Sequence, residues 1–271
     1  MNAVTTVFLD QGPGNALGLE ELHRLYRRLR ALEQCPGVRV VLLKSSNPSV
    51  FSSGLRLRAL LRGGRLRSAG AVIAAVCLSR RLNRLIMRSS KVYVSVLRGG
   101  VIGSAVSLAL ACDFVYADES AWFWLPDPIY GGLLADGGLD ILRARCGWTA
   151  SQSLGLLCER FGADRALECG MIHAIEPAGR LDDAVDGLAV RLERLSPDTL
   201  RRTKRLLNRG IRLRPPLGAL LRAAMSADML RRTRGMLRTG EGAHGLREAP
   251  PPDGTGQACR RDSPPAKEEK P

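Results

Sequence analysis

Apolar residues at 19, 22, 25, 26, 29 and 32 fall every three or four positions, so Leu19–Leu32 predicts an amphipathic helix. The runs that flank it follow another rule. Val38–Leu43 is a largely apolar run, the pattern of a strand covered on both faces of a parallel sheet, and Val92–Leu97 reads the same way. Val4–Leu9 and Phe114–Ala117 are shorter β-rich runs, the first ended by the turn residues Gln11-Gly12-Pro13-Gly14. Leu66–Ser90 predicts a helix with Arg on its outer face, and Ile102–Cys112 a small-residue helix packed close to the sheet. This β-α-β-α-β alternation predicts an α/β core with right-handed crossovers.

From Thr149 onwards the pattern turns helical. Thr149 with Gln152 predicts a capping box for Ala150–Glu159. Ala163–Cys169 reads as a helix stopped by Gly170, followed by a short strand at Met171–Ile175. Ser196-Pro197-Asp198 is a helix start with an N-cap Ser, Pro at the first position and an acid in the first turn. Helices are expected at Thr199–Asn208 and Leu217–Leu237, and the Pro-, Gly- and charge-rich stretch from about Thr239 to Pro271 reads as a disordered tail. The expected organisation is a core over 1–195, a helical region over 196–238 and the tail over 239–271, without an internal repeat.

Composition narrows the chemistry. Seven cysteines without a C-x-x-C pair read as reduced thiols of an intracellular protein, and three histidines (His23, His173, His244) without ligand spacing give no expectation of a metal site. No run approaches the roughly 18 apolar residues of a membrane span, and Val4–Leu9 leaves no room for a leader peptide. The formal charge is +15, and Gln34–Cys112 holds Lys and Arg but no Asp or Glu. Such a segment attracts polyanions or phosphorylated cofactors; the scarcity of Lys among the basic residues equally fits a codon bias. Without aromatic interleaving or a recognition-helix signature, no nucleic-acid partner is expected.

Two segments carry candidate chemistry. Val50–Leu57 (VFSSGLRL) and Gly99–Ser104 (GGVIGS) are both junctions where a strand gives way to a glycine turn and then a helix. Backbone N–H groups at such places have no internal partner, and two of them aimed at one oxygen stabilise an oxyanion. The glycines permit the turn and the approach of a ligand.

VFSSGLRL resembles the F-S-A-G-x-D-L segment of the crotonase (enoyl-CoA hydratase/isomerase) family, and Arg98–Asp113 resembles its N-G-x-x-x-G-G-G…A-C-D segment. FGADRALECGMIHAI is similar to the helix-then-glycine stretch that leads into the family's G-L-V-x-x-V, and the likeness covers about residues 4–238. Within the family the chain most resembles the mitochondrial Δ3,Δ2-enoyl-CoA isomerases, sharing P-x-N-x-L-x-L-E-x-L and S-x-x-x-V-F-S-x-G-L-x-L. The resemblance implies a crotonase-like ββα spiral core with a C-terminal helical region, a homotrimer or hexamer, an acyl-CoA substrate, a mitochondrial setting, and no metal or redox cofactor, coenzyme A being part of the substrate. It also implies a Δ3,Δ2-enoyl-CoA isomerase; the alternatives are a catalytically inactive acyl-CoA-binding homologue or another crotonase reaction. Carried over by position, the oxyanion donors are the backbone N–H groups of Leu55 and Ser104, with Ser53, Gly54 and Gly103 against the substrate.

The departures from the family pattern matter as much. Hydratases use two glutamates, and the first falls on Ser107, which lacks the basicity to activate water, so hydration is not expected. Isomerases move one proton between C4 and C2 with a single carboxylate, which aligns with Asp127. Gly132–Gly138 (GLLADGG) also resembles the G-L-x-P-D-G-G segment of other isomerases, whose Asp is the base, and this selects Asp136 instead. The two alignments differ by one residue. Asp136 is preferred to Asp127, with Trp122–Leu125 as an apolar wall, and either aspartate also reads as a plain turn residue. Arg56 and Arg98 stand where the family has Asp and Asn, and Cys112 reads as a structural thiol.

Overall fold

Val40, Val41, Leu42 and Leu43 explain the architecture. In the computed structural model they lie in one strand, and alternate side chains enter two different cores: Val41 and Leu43 join one cluster, Val40 and Leu42 the other. A strand buried on both faces needs apolar residues at successive positions, which is why no alternation shows in the sequence. The structure describes residues 3–60, 65–213 and 217–226, with 228, 229, 231, 232 and 235. The tail expected from Thr239 lies outside the described residues.

The chain starts with β1 (Val4–Leu9), α1 (Leu19–Glu33) and β2 (Val40–Ser45). Then follow β3 (Val50–Ser52), α2 (Leu57–Leu60) and α3 (Arg65–Arg88). Next come β4 (Val92–Leu97), β5 (Gly100–Ile102) and α4 (Ser104–Ala111), then β6 (Phe114–Asp118), β7 (Trp122–Trp124) and α5 (Gly138–Leu156). A parallel sheet has the order β1-β2-β4-β6-β9, with β9 at Ala174–Glu176. The second sheet has the order β3-β5-β7-β8, with β8 at Arg160–Gly162 antiparallel to β7. Three times, a strand of the first sheet turns directly into a short strand of the second and then into a helix. This ββα repeat escapes the sequence because the helix closing each turn fills a different space: 24 residues in α3, eight in α4 and 19 in α5.

All eight residues of α4 are buried, so its Ala, Ser and Val side chains are what allow it to lie against the sheets. On the opposite face of the first sheet, α7 (Leu181–Glu193) inserts Leu181, Val185, Leu188 and Leu192 against Val40, Val92 and Val94. Each such side chain removed from water contributes roughly 1.5–3 kcal/mol. α6 (Ala163–Glu168) precedes β9, and α8 (Pro197–Leu207) and α9 (Leu217–Ala224) pack on α3. Ser196 caps α8 as expected, its side chain accepting from Thr199 N–H. Lys204 of α8 donates to Asp113 at 2.6 Å in a largely buried pair, joining this helical region to the core.

Several expectations shift. The helix expected at Ile102–Cys112 begins at Ser104, because Gly100–Ile102 pairs with β3 and β7 as a strand. α5 begins at Gly138, and Gly147 (φ 74°) divides it, so a helical stretch does start beside the expected Thr149, but it continues an earlier one and ends at Leu156, short of Glu159. The strand expected at Met171–Ile175 forms three residues later, at Ala174–Glu176.

Candidate active site

The first junction is built by the turn that follows β1. Asn15 donates its side-chain N–H to Phe51 O at 3.3 Å and to Ser45 Oγ at 2.6 Å, while Ser52 Oγ donates to Asn15 O at 2.7 Å. These bonds fix the end of β3. Gly54 then takes φ 76°, a left-handed conformation costly for other residues, and a Cβ there would stand 2.6 Å from Ile102 O. Leu17 N–H donates to Gly54 O at 2.7 Å and Arg56 N–H to Leu17 O at 2.9 Å. Because extended backbone alternates direction, Leu55 N–H faces away from Leu17. Among the described residues it has no acceptor.

The second junction meets the first here. The Cβ position of Gly54 lies 3.1 Å from Ser104 N and 3.2 Å from Ser104 Oγ. Ser104 opens α4, so its N–H has no intrahelical acceptor. Its hydroxyl is buried and unbonded as well. The turn is held in place by β7, since Gly103 N–H donates to Trp124 O at 2.8 Å. Leu55, Ser104, Gly54 and Gly103 therefore converge on one spot lined by polar groups without partners.

Both aspartates come to the same helix, at different turns. Asp127 Oδ2 is enclosed and has no hydrogen-bond partner, and a Cβ on Gly103 would stand 3.9 Å from it. Its carbonyl serves the local turn, accepting from Gly132 N–H at 2.7 Å, and Oδ2 is left without a partner. Burial, and secondarily the charge of Asp136, push the Asp127 carboxyl up to about 7. Asp136 sits one turn further along α4. Ser107 Oγ donates to its Oδ1 at 2.9 Å, Gly138 N–H to the same oxygen at 3.0 Å, and Ser79 Oγ to Oδ2 at 2.9 Å. Burial raises its pKa, and these bonds oppose the rise. Its side chain is not turned to solvent, yet both its oxygens are already bonded.

Ser79 and Asn83 were not singled out from the sequence. Both are polar, fully buried and one turn apart on α3, with Asn83 donating to Asp136 O at 3.3 Å. Polar residues within the apolar stripe of a long helix were the available signal. Ser53, named with the substrate contacts, donates its N–H to Gly14 O at 2.8 Å and so supports the loop. Trp122 and Trp124 flank the Arg160 guanidinium at 5.2 and 4.4 Å. The unusual arginines are structural ties: Arg56 pairs with Glu21 at 3.0 Å, and Arg98 with Asp182 at 2.9 Å and Asp118 at 3.5 Å. Cys112 is fully buried and its thiol is pushed up to about 12, mainly by burial, which leaves it unreactive. Among the described residues no group of three or more His, Cys, Asp or Glu is placed to hold a metal, and no helix is long and apolar enough to cross a membrane.

Comparison with known proteins follows the same lines. The sequence profile of the enoyl-CoA hydratase/isomerase family matches residues 1–251. A Thermus thermophilus protein provisionally named enoyl-CoA hydratase is 31% identical over 205 residues, 75% of this chain and 80% of its own. A peroxisomal Δ(3,5)-Δ(2,4)-dienoyl-CoA isomerase of Arabidopsis thaliana is 27% identical over 205 residues, covering 72% of this chain and 73% of its own. In fold, the crystal structure of an enoyl-CoA hydratase from Bacillus halodurans superposes with a TM-score of 0.78 at 22% identity, over 87% of this chain and 97% of that one. The ββα spiral thus has its counterpart in a solved structure, and this chain belongs to the enoyl-CoA hydratase/isomerase, or crotonase, family.

Proposed function

We propose that the protein is a Δ3,Δ2-enoyl-CoA isomerase in which Asp127 carries the proton. The observation behind this reading is Asp127 Oδ2, enclosed, unbonded and beside the Gly103–Ser104 turn. The thioester oxygen accepts the N–H groups of Leu55 and Ser104. The Asp127 carboxylate removes a C2 proton from a 3-enoyl-CoA, and the electron pair moves onto the thioester oxygen as a dienolate held by those donors. Asp127, now protonated, returns the proton at C4; the double bond settles between C2 and C3, and the carboxylate is regenerated. A carboxyl with pKa about 7 is suited to both steps near neutral pH. Asp136, the first choice on sequence, is on this reading an anchor for the loop.

The reaction needs no metal or redox cofactor, since coenzyme A arrives as part of the substrate. Ser107 offers no base for water and is engaged with Asp136, which argues against hydration. A homotrimer or hexamer is proposed as the working assembly, in keeping with exposures of 68–77% at Leu156, Leu157, Leu206 and Leu207. The test is conjugation of a 3-enoyl-CoA followed in the ultraviolet, with crotonyl-CoA hydration measured alongside. Conjugation without hydration is the expected result. Hydration near a typical enzymatic turnover of about 10 per second overturns the single-carboxylate assignment. Binding of acyl-CoA with neither reaction identifies an inactive acyl-CoA-binding homologue.

A further inference from the structure

The C-terminal ends of α3 and α8 enclose a groove of about 680 Å³. Arg84 and Arg88 line it from α3, Arg205 and Arg209 from α8 and just beyond, and Arg212 closes one side. No acidic residue lines the groove, and none of the five arginines has a carboxylate partner among the described residues. The floor is apolar, formed by Met87, Ile211 and Leu213. It is also fixed in place: Asn208 donates to Met87 O at 3.0 Å and Arg80 to Leu213 O at 3.3 Å. The groove is remote from the oxyanion turn. Arg88 precedes β4 and the Gly99–Gly103 turn follows it, so the two sites stand at opposite ends of a six-residue strand, roughly 20 Å apart.

We propose that this groove is a second ligand site, specific for a nucleoside diphosphate. Five unpaired guanidiniums around one cleft repel each other, and a compact polyanion relieves that repulsion. Arg84 and Arg88, one turn apart on α3 and so about 5–6 Å between Cβ atoms, present paired forks from one wall, and Arg205 and Arg209 face them from the end of α8 and the turn after it, an arrangement suited to two adjacent phosphoryl groups. The apolar floor then takes the flat face of a base. The volume falls in the range of small-ligand sites, roughly 300–1,000 Å³. A single-stranded nucleic acid fits less well, because no aromatic side chain lines the groove for base stacking. This inference does not depend on the isomerase assignment.

The test is calorimetric titration of the full chain with ADP, AMP and adenosine, at low and high salt, with and without a saturating acyl-CoA analogue. ADP is expected to bind more tightly than AMP and AMP more tightly than adenosine, to weaken with salt, and to bind with the analogue present. The charge-reversed variant R88E/R209E should weaken ADP roughly 10–100-fold or more. It should leave the melting temperature and any turnover of 3-enoyl-CoA unchanged, since both side chains are exposed and distant from Asp127. R88Q/R209Q, a milder change, guards against a folding defect in the reversed variant. Absence of ADP binding overturns the proposal, as does ADP binding that both variants retain or that the analogue displaces. A single-stranded oligonucleotide that binds more tightly than ADP, or a change of particle mass in the variants, replaces it with a polymer or a second copy of the chain.

Discussion

Two aspartates of one loop, Asp127 and Asp136, are both enclosed with raised pKa values, yet they are solvated in opposite ways. Asp136 receives two hydroxyls and one backbone N–H; Asp127 Oδ2 receives nothing. A buried carboxyl with both oxygens bonded stabilises the native state by joining segments, here α3, α4 and the start of α5. A buried carboxyl left unbonded destabilises it and is tolerated where a ligand or a proton has to arrive. Sequence alignment weighed the two by spacing alone and favoured the one with both oxygens bonded. The difference lies in Ser79 and Ser107, which no alignment of the loop itself brings into view.

The strongest test of this contrast is kinetic. Asp127→Asn keeps the side-chain volume and removes the proton carrier, so isomerisation should fall about 10²–10⁴-fold, the usual contribution of a general acid–base group. Binding of an acyl-CoA analogue should persist, because Leu55 and Ser104 N–H are untouched. A kcat that is unchanged in Asp127→Asn and collapses in Asp136→Asn would exchange the two roles. The next effect is on stability. Asp136→Ala strands the hydroxyls of Ser79 and Ser107 and the N–H of Gly138, and should cost about 3 kcal/mol by chemical denaturation. Asp127→Ala should cost far less, or nothing. Equal losses would show that the unbonded oxygen is not a feature of the protein in solution.

The fold was largely legible because β2 and β4 are largely apolar runs, β1 and β6 are β-rich, and α1 is a regular stripe, signals that survive in any single sequence. What escaped had physical reasons. β3, β5, β7 and β8 have three residues each, too few to show a period. Gly147 divides α5, so only its second stretch, near Thr149, shows a start in the sequence. α7 is not among the expected elements, although Leu181, Val185, Leu188 and Leu192 mark a helical stripe. Of the site, the backbone junctions at Leu55 and Ser104 could be read, since glycines advertise them. The choice between carboxylates could not, because it depends on hydrogen bonds from α3, more than 50 residues distant in sequence.

A smaller effect should appear in the pH dependence of stability. Asp127 titrates near 7 in the folded chain, against an ordinary value of 3.8. Between those values the native state retains a proton that the unfolded chain has released, so stability falls as pH rises through the window. Asp127→Asn abolishes that fall. A shift of about three units bounds the effect near 4 kcal/mol; Oδ2 is enclosed but the residue as a whole is only half-buried, which should reduce it to about 2 kcal/mol. Asp127→Asn should therefore match the wild type near pH 4 and exceed it near pH 8 in urea denaturation; parallel curves would refute the raised pKa. Isomerase kcat/KM in the wild type should rise with pH through about 7 as the carboxylate form accumulates.

The smallest expected change asks whether lack of a partner is by itself enough to make a proton carrier. Ser79→Ala removes the bond to Asp136 Oδ2 and leaves that oxygen as bare as Asp127 Oδ2. The loss of one hydrogen bond to a buried acceptor should cost about 1 kcal/mol and shift the denaturation midpoint slightly. It should also push the Asp136 carboxyl further upward, because a bond that favours the charged form is gone. In the Asp127→Asn background the second substitution should not restore isomerisation. Asp136 remains tied to Ser107 and Gly138 N–H, one turn of α4 beyond Ser104, while the Gly103 turn stands beside Asp127. Position relative to the oxyanion donors then decides the role, and bare acceptor capacity only permits it. Recovery of even tenfold activity in the double variant would show instead that Asp136 can reach the substrate and that the two aspartates share the proton.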